Sequence, residues 1–410
     1  TRKESSAASD VYKRQPLKCN EYMRDIEFVR SRFIKHFDGS TGYIYFAPGR
    51  INLIGEHTDY NGGFVFPGAV EKGILAEIKP NGTQKVRAYA IDLKDYVEFD
   101  LTDTEAPTAS WAKYIYGVCK EMEKLGVEVK GFNTAFSGDV PLGAGMSSSA
   151  ALESCYATAI NELFGEKKIE KMELAKVGQR TEHHYVGVKC GIMDQFASIH
   201  GKEGTLMRLD CRSMEYKYFP FHPDGYKLVL LDTVVKHNLA DSAYNDRRHS
   251  CERVVEVIQK DHPEVTFLRD VSMELLESYK GKVSDEDYMR AEYVVEEIQR
   301  VLDVSEALEK DDYETAGKKM YETHKGMSQL YEVSCEELDY LNEIAMECGV
   351  TGSRVMGGGF GGCTINLVKE ELQDLFVETA KERFAKKFGH EPKVYLSLIH
   401  ISEPTRLLSI

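Results

Sequence analysis

Chemistry-bearing side chains crowd most densely at Gly55-Glu56-His57-Thr58-Asp59-Tyr60-Asn61-Gly62-Gly63, directly after Ala47-Pro48-Gly49-Arg50 and the apolar-rich Ile51-Asn52-Leu53-Ile54. Two carboxylates and an imidazole so close together can accept and donate hydrogen bonds to several hydroxyls at once, which suits a polyol pocket. An Asn-Gly-Gly turn beside a solvated charged flank would use the same residues, and the pattern alone leaves it open. Zinc coordination by His57 with His183 or His184 is disfavoured, because no His-Glu-x-x-His or cysteine spacing accompanies them.

A second cluster, Asp139-Val140-Pro141-Leu142-Gly143-Ala144-Gly145-Met146-Ser147-Ser148-Ser149, is a glycine and serine loop running into a predicted helix over 148–164. Glycines let consecutive backbone N–H groups approach an anion, the helix N-terminus adds unpaired donors and positive potential, and hydroxyls can reach a phosphate or its metal. Ser147 equally offers its hydroxyl where a helix N-cap is wanted, so a plain capped helix competes. No Gly-Lys followed by Ser or Thr occurs, which argues against the Walker type of phosphate loop.

The third cluster, Gly352-Ser353-Arg354-Val355-Met356-Gly357-Gly358-Gly359-Phe360-Gly361-Gly362-Cys363-Thr364, contains a formal Gly-x-Gly-x-x-Gly. A dinucleotide fingerprint should open a helix, but Thr364 to Val368 alternates like a strand, so that reading is rejected. The glycines instead suit a tight hairpin-like turn, or a backbone passing close to another loop or a ligand. Between the second and third clusters stand Glu182-His183-His184 and Cys190-Gly191-Ile192-Met193-Asp194-Gln195-Phe196. Asp194, alone among small and apolar neighbours, could be a carboxylate paired with a cation and ready to take a proton from a hydroxyl; a helix-capping aspartate is the commoner use.

The elements that hold these clusters follow from patterning. Segments 43–54, 64–79, 84–101 and 132–138 are rich in β-branched and aromatic residues and read as strands, giving a sheet-rich first half. A buried strand is expected over 227–235, amphipathic helices over 242–260, 286–302, 304–332 and 335–348, and a strand pair or strand-helix unit over 354–388. A soft domain boundary falls near 205.

The balance of 52 basic against 67 acidic residues, net −15, argues against nucleic acid and anionic membranes as partners, since the overall field repels both. Any anionic substrate must then be held locally. No apolar run approaches the length of a membrane span. Nine scattered cysteines without a Cys-x-x-Cys pair suggest reduced thiols and a cytoplasmic location. Residues 1–15 and 396–410 lack apolar periodicity, and both back-translate into sequencing-library transposon adapter sequence; they are expected to be non-native tails.

Taken in order, Gly49 to Tyr60, Pro141 to Ala150, Cys190 to Phe196 and Gly357 to Gly362 resemble the galactokinase family of the GHMP small-molecule kinase superfamily, over essentially all of 16–395. Gly-Glu-His-Thr-Asp-Tyr is the most specific stretch. Met146 stands where leucine is usual, and Met356-Gly357-Gly358 where threonine, glycine and alanine are frequent; neither change removes a reactive group.

The resemblance implies an α/β (α+β) fold of two lobes, 16–205 sheet-rich and 206–395 helix-rich, with the active site in the cleft between them. It implies ATP-dependent phosphorylation of O1 of α-D-galactose, with Asp194 as catalytic aspartate and Arg50 as its partner. Glu56, His57, Asp59, Gly191 and Tyr244 match sugar-contacting positions. Pro141, Gly143, Gly145, Ser147, Ser148 and Ser149 match nucleotide-phosphate positions, and Trp111 and Tyr114 the aromatic pair near adenine. Ser148, Ser149 and Glu182 match positions for Mg2+. The expected state is a monomer, with a larger assembly left open. A kinase for N-acetylgalactosamine or another galactose-configured sugar, or a galactose- and ATP-responsive regulator, are the alternatives.

Overall fold

The computed structural model describes residues 19–37, 39–141, 143–235, 240–396 and 405–408. The segment 1–15 lies outside them. The first lobe comprises α1 (Cys19–His36), β1 (Tyr43–Asn52), β2 (Phe64–Val65), β3 (Pro67–Pro80), β4 (Lys85–Ala90), β5 (Asp95–Asp100), α2 (Ser110–Lys124), β6 (Phe132–Gly138), α3 (Ser148–Leu163), α4 (Lys171–Thr181), α5 (Met193–His200), β7 (Thr205–Asp210) and β8 (Tyr216–Pro220). The second comprises β9 (Tyr226–Asp232), α6 (Ala240–Ile258), α7 (Met273–Glu277), α8 (Asp285–Leu308), α9 (Tyr313–Gln329), α10 (Glu336–Glu347), β10 (Gly352–Val355), β11 (Cys363–Lys369), α11 (Gln373–Phe388) and β12 (Lys393–Leu396); β13 (Thr405–Leu408) returns to the first lobe.

A six-stranded sheet runs β13-β1-β3-β6-β4-β5, antiparallel except for the parallel β4–β6 pair. Alternation along β1 sends Tyr45 and Ala47 to the core shared with α2–α5, and Ile44 and Phe46 to the opposite face. That opposite face is covered by α1, whose Ile26, Val29 and Phe33 recur at helical spacing. The second lobe is built on an antiparallel sheet, β10-β11-β9-β12. One apolar cluster running from Ile51, Leu53 and Met146 to Val301, Val355 and Met356 ties the lobes together, and it takes in Leu206 and Phe219 of a small antiparallel sheet, β2-β7-β8. The boundary near 205 therefore falls at the first residue of a strand that pairs with β2.

Three local expectations change. The run 84–101 is a hairpin, β4 and β5, turned at Lys94, which has a positive φ. The helix expected over 304–332 is two, because Asp311 takes a left-handed conformation and Asp312 caps α9, accepting from the Thr315 N–H at 3.0 Å. The segment 396–410 is not wholly outside the fold: Leu396 closes β12 and Thr405–Leu408 pairs with β1, whose edge otherwise leaves backbone groups unpaired.

Candidate active site

Three loops and two helix N-termini meet at one cavity of about 370 Å³. The end of β1 delivers Arg50 and leads into the Glu56–Asp59 loop. The first turn of α3 brings Ser148 and Ser149, that of α5 brings Met193 and Asp194, and the β10–β11 hairpin supplies Gly358 to Phe360. Helix N-termini carry unpaired N–H groups and favour negative charge, so the floor suits anions in an acidic chain.

Arg50 and Asp194 form the centre. The Arg50 guanidinium donates from Nε at 2.8 Å and lies 2.7 Å away at Nη2, both to Asp194 Oδ1. Ser147 Oγ donates to the other carboxylate oxygen, Oδ2. Arg50 is buried, whereas Asp194 keeps part of its carboxylate open to the cavity. Arg50 also binds the phosphate loop, through Nη1 to Gly145 O and its backbone N–H to Met146 O.

The sugar-side residues are held by one another. Glu56 Oε1 accepts from both Nη atoms of Arg354 at 3.1 Å and from the Gly357 N–H at 2.8 Å. His57 Nε2 lies 3.1 Å from Gly358 O and Nδ1 2.7 Å from the Tyr60 hydroxyl. Because a carbonyl only accepts, Nε2 carries the proton and Nδ1 accepts from Tyr60. Burial pushes the His57 imidazole down to about 4, so it stays neutral near pH 7. Asp59 accepts from the Tyr60 and Met193 N–H groups at 2.9 and 3.3 Å. Burial, and then the nearby Asp194 charge, push the Asp59 carboxyl up to about 6. At Gly191 an added Cβ would lie 1.9 Å from the Asp59 Cγ, so only glycine fits there. Tyr244 is half-buried, its ring 5.1 Å from that of His57.

On the nucleotide side, Tyr114, Pro141, Gly143, Gly145, Ser147 to Ser149 and Glu182 all line the cavity. Leu142 lies outside the described residues. Trp111 is not among the lining residues; it is buried in the first-lobe core, with its indole N–H donating to Asp95 at 2.8 Å. The third cluster is both a hairpin turn and a close crossing of backbones. An added Cβ would lie 2.7 Å from Met356 O at Gly145, and 2.2 Å from Val333 O at Gly359. His57, Ser147 and Phe360, all lining the cavity, are non-glycine residues at positive φ, the kind of local strain that concentrates at functional sites.

Two residues of the site were not singled out by the sequence. Arg354, fully buried, ties the hairpin to Glu56 and to the carbonyls of Leu53 and Asn52. Its place in the short strand β10, Gly-Ser-Arg-Val, gives no local sign of that burial. Glu153 is buried in α3 and accepts from Gln195 at 3.0 Å; burial, then Glu182, drive its carboxyl well up. Nothing in its sequence position distinguishes it from a solvated helix glutamate.

Comparison with known proteins agrees with this geometry. Residues 31–80, which hold Arg50 and the Glu56–Asp59 loop, match the galactokinase galactose-binding signature. Residues 113–202 match the GHMP kinase N-terminal domain and 304–386 the C-terminal one. The galactokinase of Clostridium beijerinckii is 40% identical over 390 residues, covering 94% of this chain and 99% of that protein. The chain belongs to the galactokinase family. The Thermotoga maritima galactokinase is 40% identical, covering 84% of this chain and 94% of that protein. Lactococcus lactis galactokinase, solved with galactose, superposes with a TM-score of 0.87 at 31% identity, covering 92% of this chain and 98% of that one. Mevalonate kinase from Methanococcus jannaschii shares the fold, at a TM-score of 0.62 and 19% identity over 89% of this chain and 99% of that one. This galactokinase-family chain is thus an ATP-using enzyme of the mixed α/β GHMP type. Among its described residues, no helix is long and apolar enough to cross a membrane.

Proposed function

We propose that the enzyme transfers the γ-phosphoryl group of ATP to O1 of α-D-galactose, releasing galactose 1-phosphate and ADP. The supporting observation is the Arg50–Asp194 pair, open to a cavity that the Glu56–Asp59 loop and the serine-bearing loop both line. Asp194 takes the proton as the O1–H bond breaks, O1 bonds to the terminal phosphorus, and the bond from that phosphorus to the bridging oxygen of ADP breaks. Arg50 orients the Asp194 side chain through its two contacts to Oδ1 and steadies charge developing on the phosphoryl group.

Glu56, Asp59, Gly191, His57 and Tyr244 fix which hexose hydroxyls fit, with Asp59 and Tyr244 offering polar atoms toward the sugar. Pro141, Gly143, Gly145, Ser148 and Ser149 cradle the phosphates, and Tyr114 offers ring area for the base, with Trp111 behind it as part of the lobe core. The donor set fits Mg2+, which is commonly held by one or two carboxylates together with substrate phosphates. Glu182 with Ser148 or Ser149 would hold it, and among the described residues no group of three or more His, Cys, Asp and Glu offers an all-protein cage. Bound there, the ion would neutralise phosphate charge.

The test is galactose-dependent ADP release by the purified chain, with N-acetylgalactosamine, talose, arabinose and glucose as rivals. Galactose should give the highest kcat/KM. No preference for galactose would overturn the substrate, and no sugar-dependent ADP at all would overturn the reaction.

A further inference from the structure

Ser147 sits where sequence chemistry asks for a helix cap, yet it does not cap. It takes a left-handed conformation, φ 56° and ψ 60°, and its side chain accepts nothing from the first turn of α3. A cap residue is normally extended, with its hydroxyl accepting from the first turn of the helix. A left-handed conformation is strained for any residue with a Cβ. Glycine, which precedes it at 143 and 145 with positive φ, would adopt this backbone without that strain. The hydroxyl of this strained serine is turned to the catalytic centre, where Oγ donates to Asp194 Oδ2.

The bond completes a bracket. Arg50 occupies Oδ1 from two sides and Ser147 occupies Oδ2. An aspartate carboxyl otherwise turns over a broad range about its last torsion. With both oxygens tethered, the plane of the carboxylate is fixed, and a lone pair of Oδ2 is left for an incoming hydroxyl. The same loop is bonded to Arg50 through Gly145 O and Met146 O, so the serine, the arginine and the aspartate share one hydrogen-bond network.

We propose that Ser147 is a positioning residue for Asp194 rather than a phosphate ligand. This rests on the reading that Asp194 receives the O1 proton.

Ser147→Gly is the discriminating variant, because it removes the hydroxyl while relieving the backbone strain. Its kcat should fall by about tenfold or more, within the range that misplaced catalytic groups cost. KM for ATP and for galactose should stay within about twofold, and Tm should hold or rise. Ser147→Ala keeps a Cβ in the strained conformation; it should show the same kcat loss with a lower Tm. Unchanged kcat in Ser147→Gly would overturn the proposal, as would a raised KM for ATP with kcat restored at saturating nucleotide. If the unaltered enzyme releases no ADP with galactose, the functional reading has failed instead; if it turns over and Ser147→Gly equals it, only the role of Ser147 has.

Discussion

Across the cleft, the sugar wall and the phosphate loop are built on opposite plans. Glu56 and His57 are buried; Glu56 Oε1 is met by Arg354 and Gly357, and the two His57 ring nitrogens by Tyr60 and Gly358. Gly145 and Ser147 to Ser149 are partly exposed, Gly143 is exposed, and the first turn of α3 has no side-chain cap. The difference matches what each side has to recognise. A hexose is told from its epimers by the positions of single hydroxyls, which demands acceptors fixed in place. Phosphates are recognised by charge and by backbone N–H groups, which a glycine loop at a helix N-terminus supplies from its own main chain. The fixed wall carries its own electrostatic burden: a buried Glu56–Arg354 pair and a half-buried Asp59 near a second carboxylate are both desolvated.

Where the two plans meet, Asp194→Ala should have the largest effect, lowering kcat by about 10³-fold, as loss of a general base does. ADP binding, followed by calorimetry, should survive, because Arg50 still holds the phosphate loop through Gly145 O and Met146 O. Residual turnover within about tenfold of the unaltered enzyme would mean the base is elsewhere.

Gly191→Ala sharpens the contrast within one wall. The new methyl would displace the Asp59 carboxylate, so KM for galactose should rise by about tenfold or more while KM for ATP is unchanged. A matching rise in both would show that the two sides are not separable.

The smallest effect concerns stability. The folded value for Asp59 lies near 6, above its ordinary 3.8, so its contribution to stability is full below about pH 3.8 and is lost as pH rises through 6. Asp59→Asn should therefore raise the Tm of sugar-free protein at pH 7.5 by about 1–3 °C, and the gain should vanish near pH 4. His57 acts in the other sense, losing stability as pH falls from its ordinary 6.5 toward 4, but it is common to both proteins and drops out of the difference. A gain that grows on acidification would contradict the assignment.

Much of this site was legible because its chemistry is concentrated in short stretches. The Gly-Glu-His-Thr-Asp-Tyr run, the glycine-serine loop and Asp194 do converge on one cavity, and the strand after the third glycine cluster is β11. What was not legible depends on contacts distant in sequence. Arg354 meets Glu56 across 298 residues, and no local pattern shows that partnership. The turn of Ser147 from helix cap to Asp194 requires a left-handed backbone that serine itself does not request. Similarly, α2 and α4 carry helical periodicity, but the β-rich stretches around them dominated the reading of the first half.

A crystal structure of the enzyme with galactose and a non-hydrolysable ATP analogue tests the central claim most directly. The anomeric O1 should lie about 2.6–3.2 Å from Asp194 Oδ2, on the side facing the terminal phosphorus, with ring hydroxyls turned toward the Glu56–Asp59 wall. A sugar seated with O1 away from Asp194, or a terminal phosphate outside reach of O1, would contradict it.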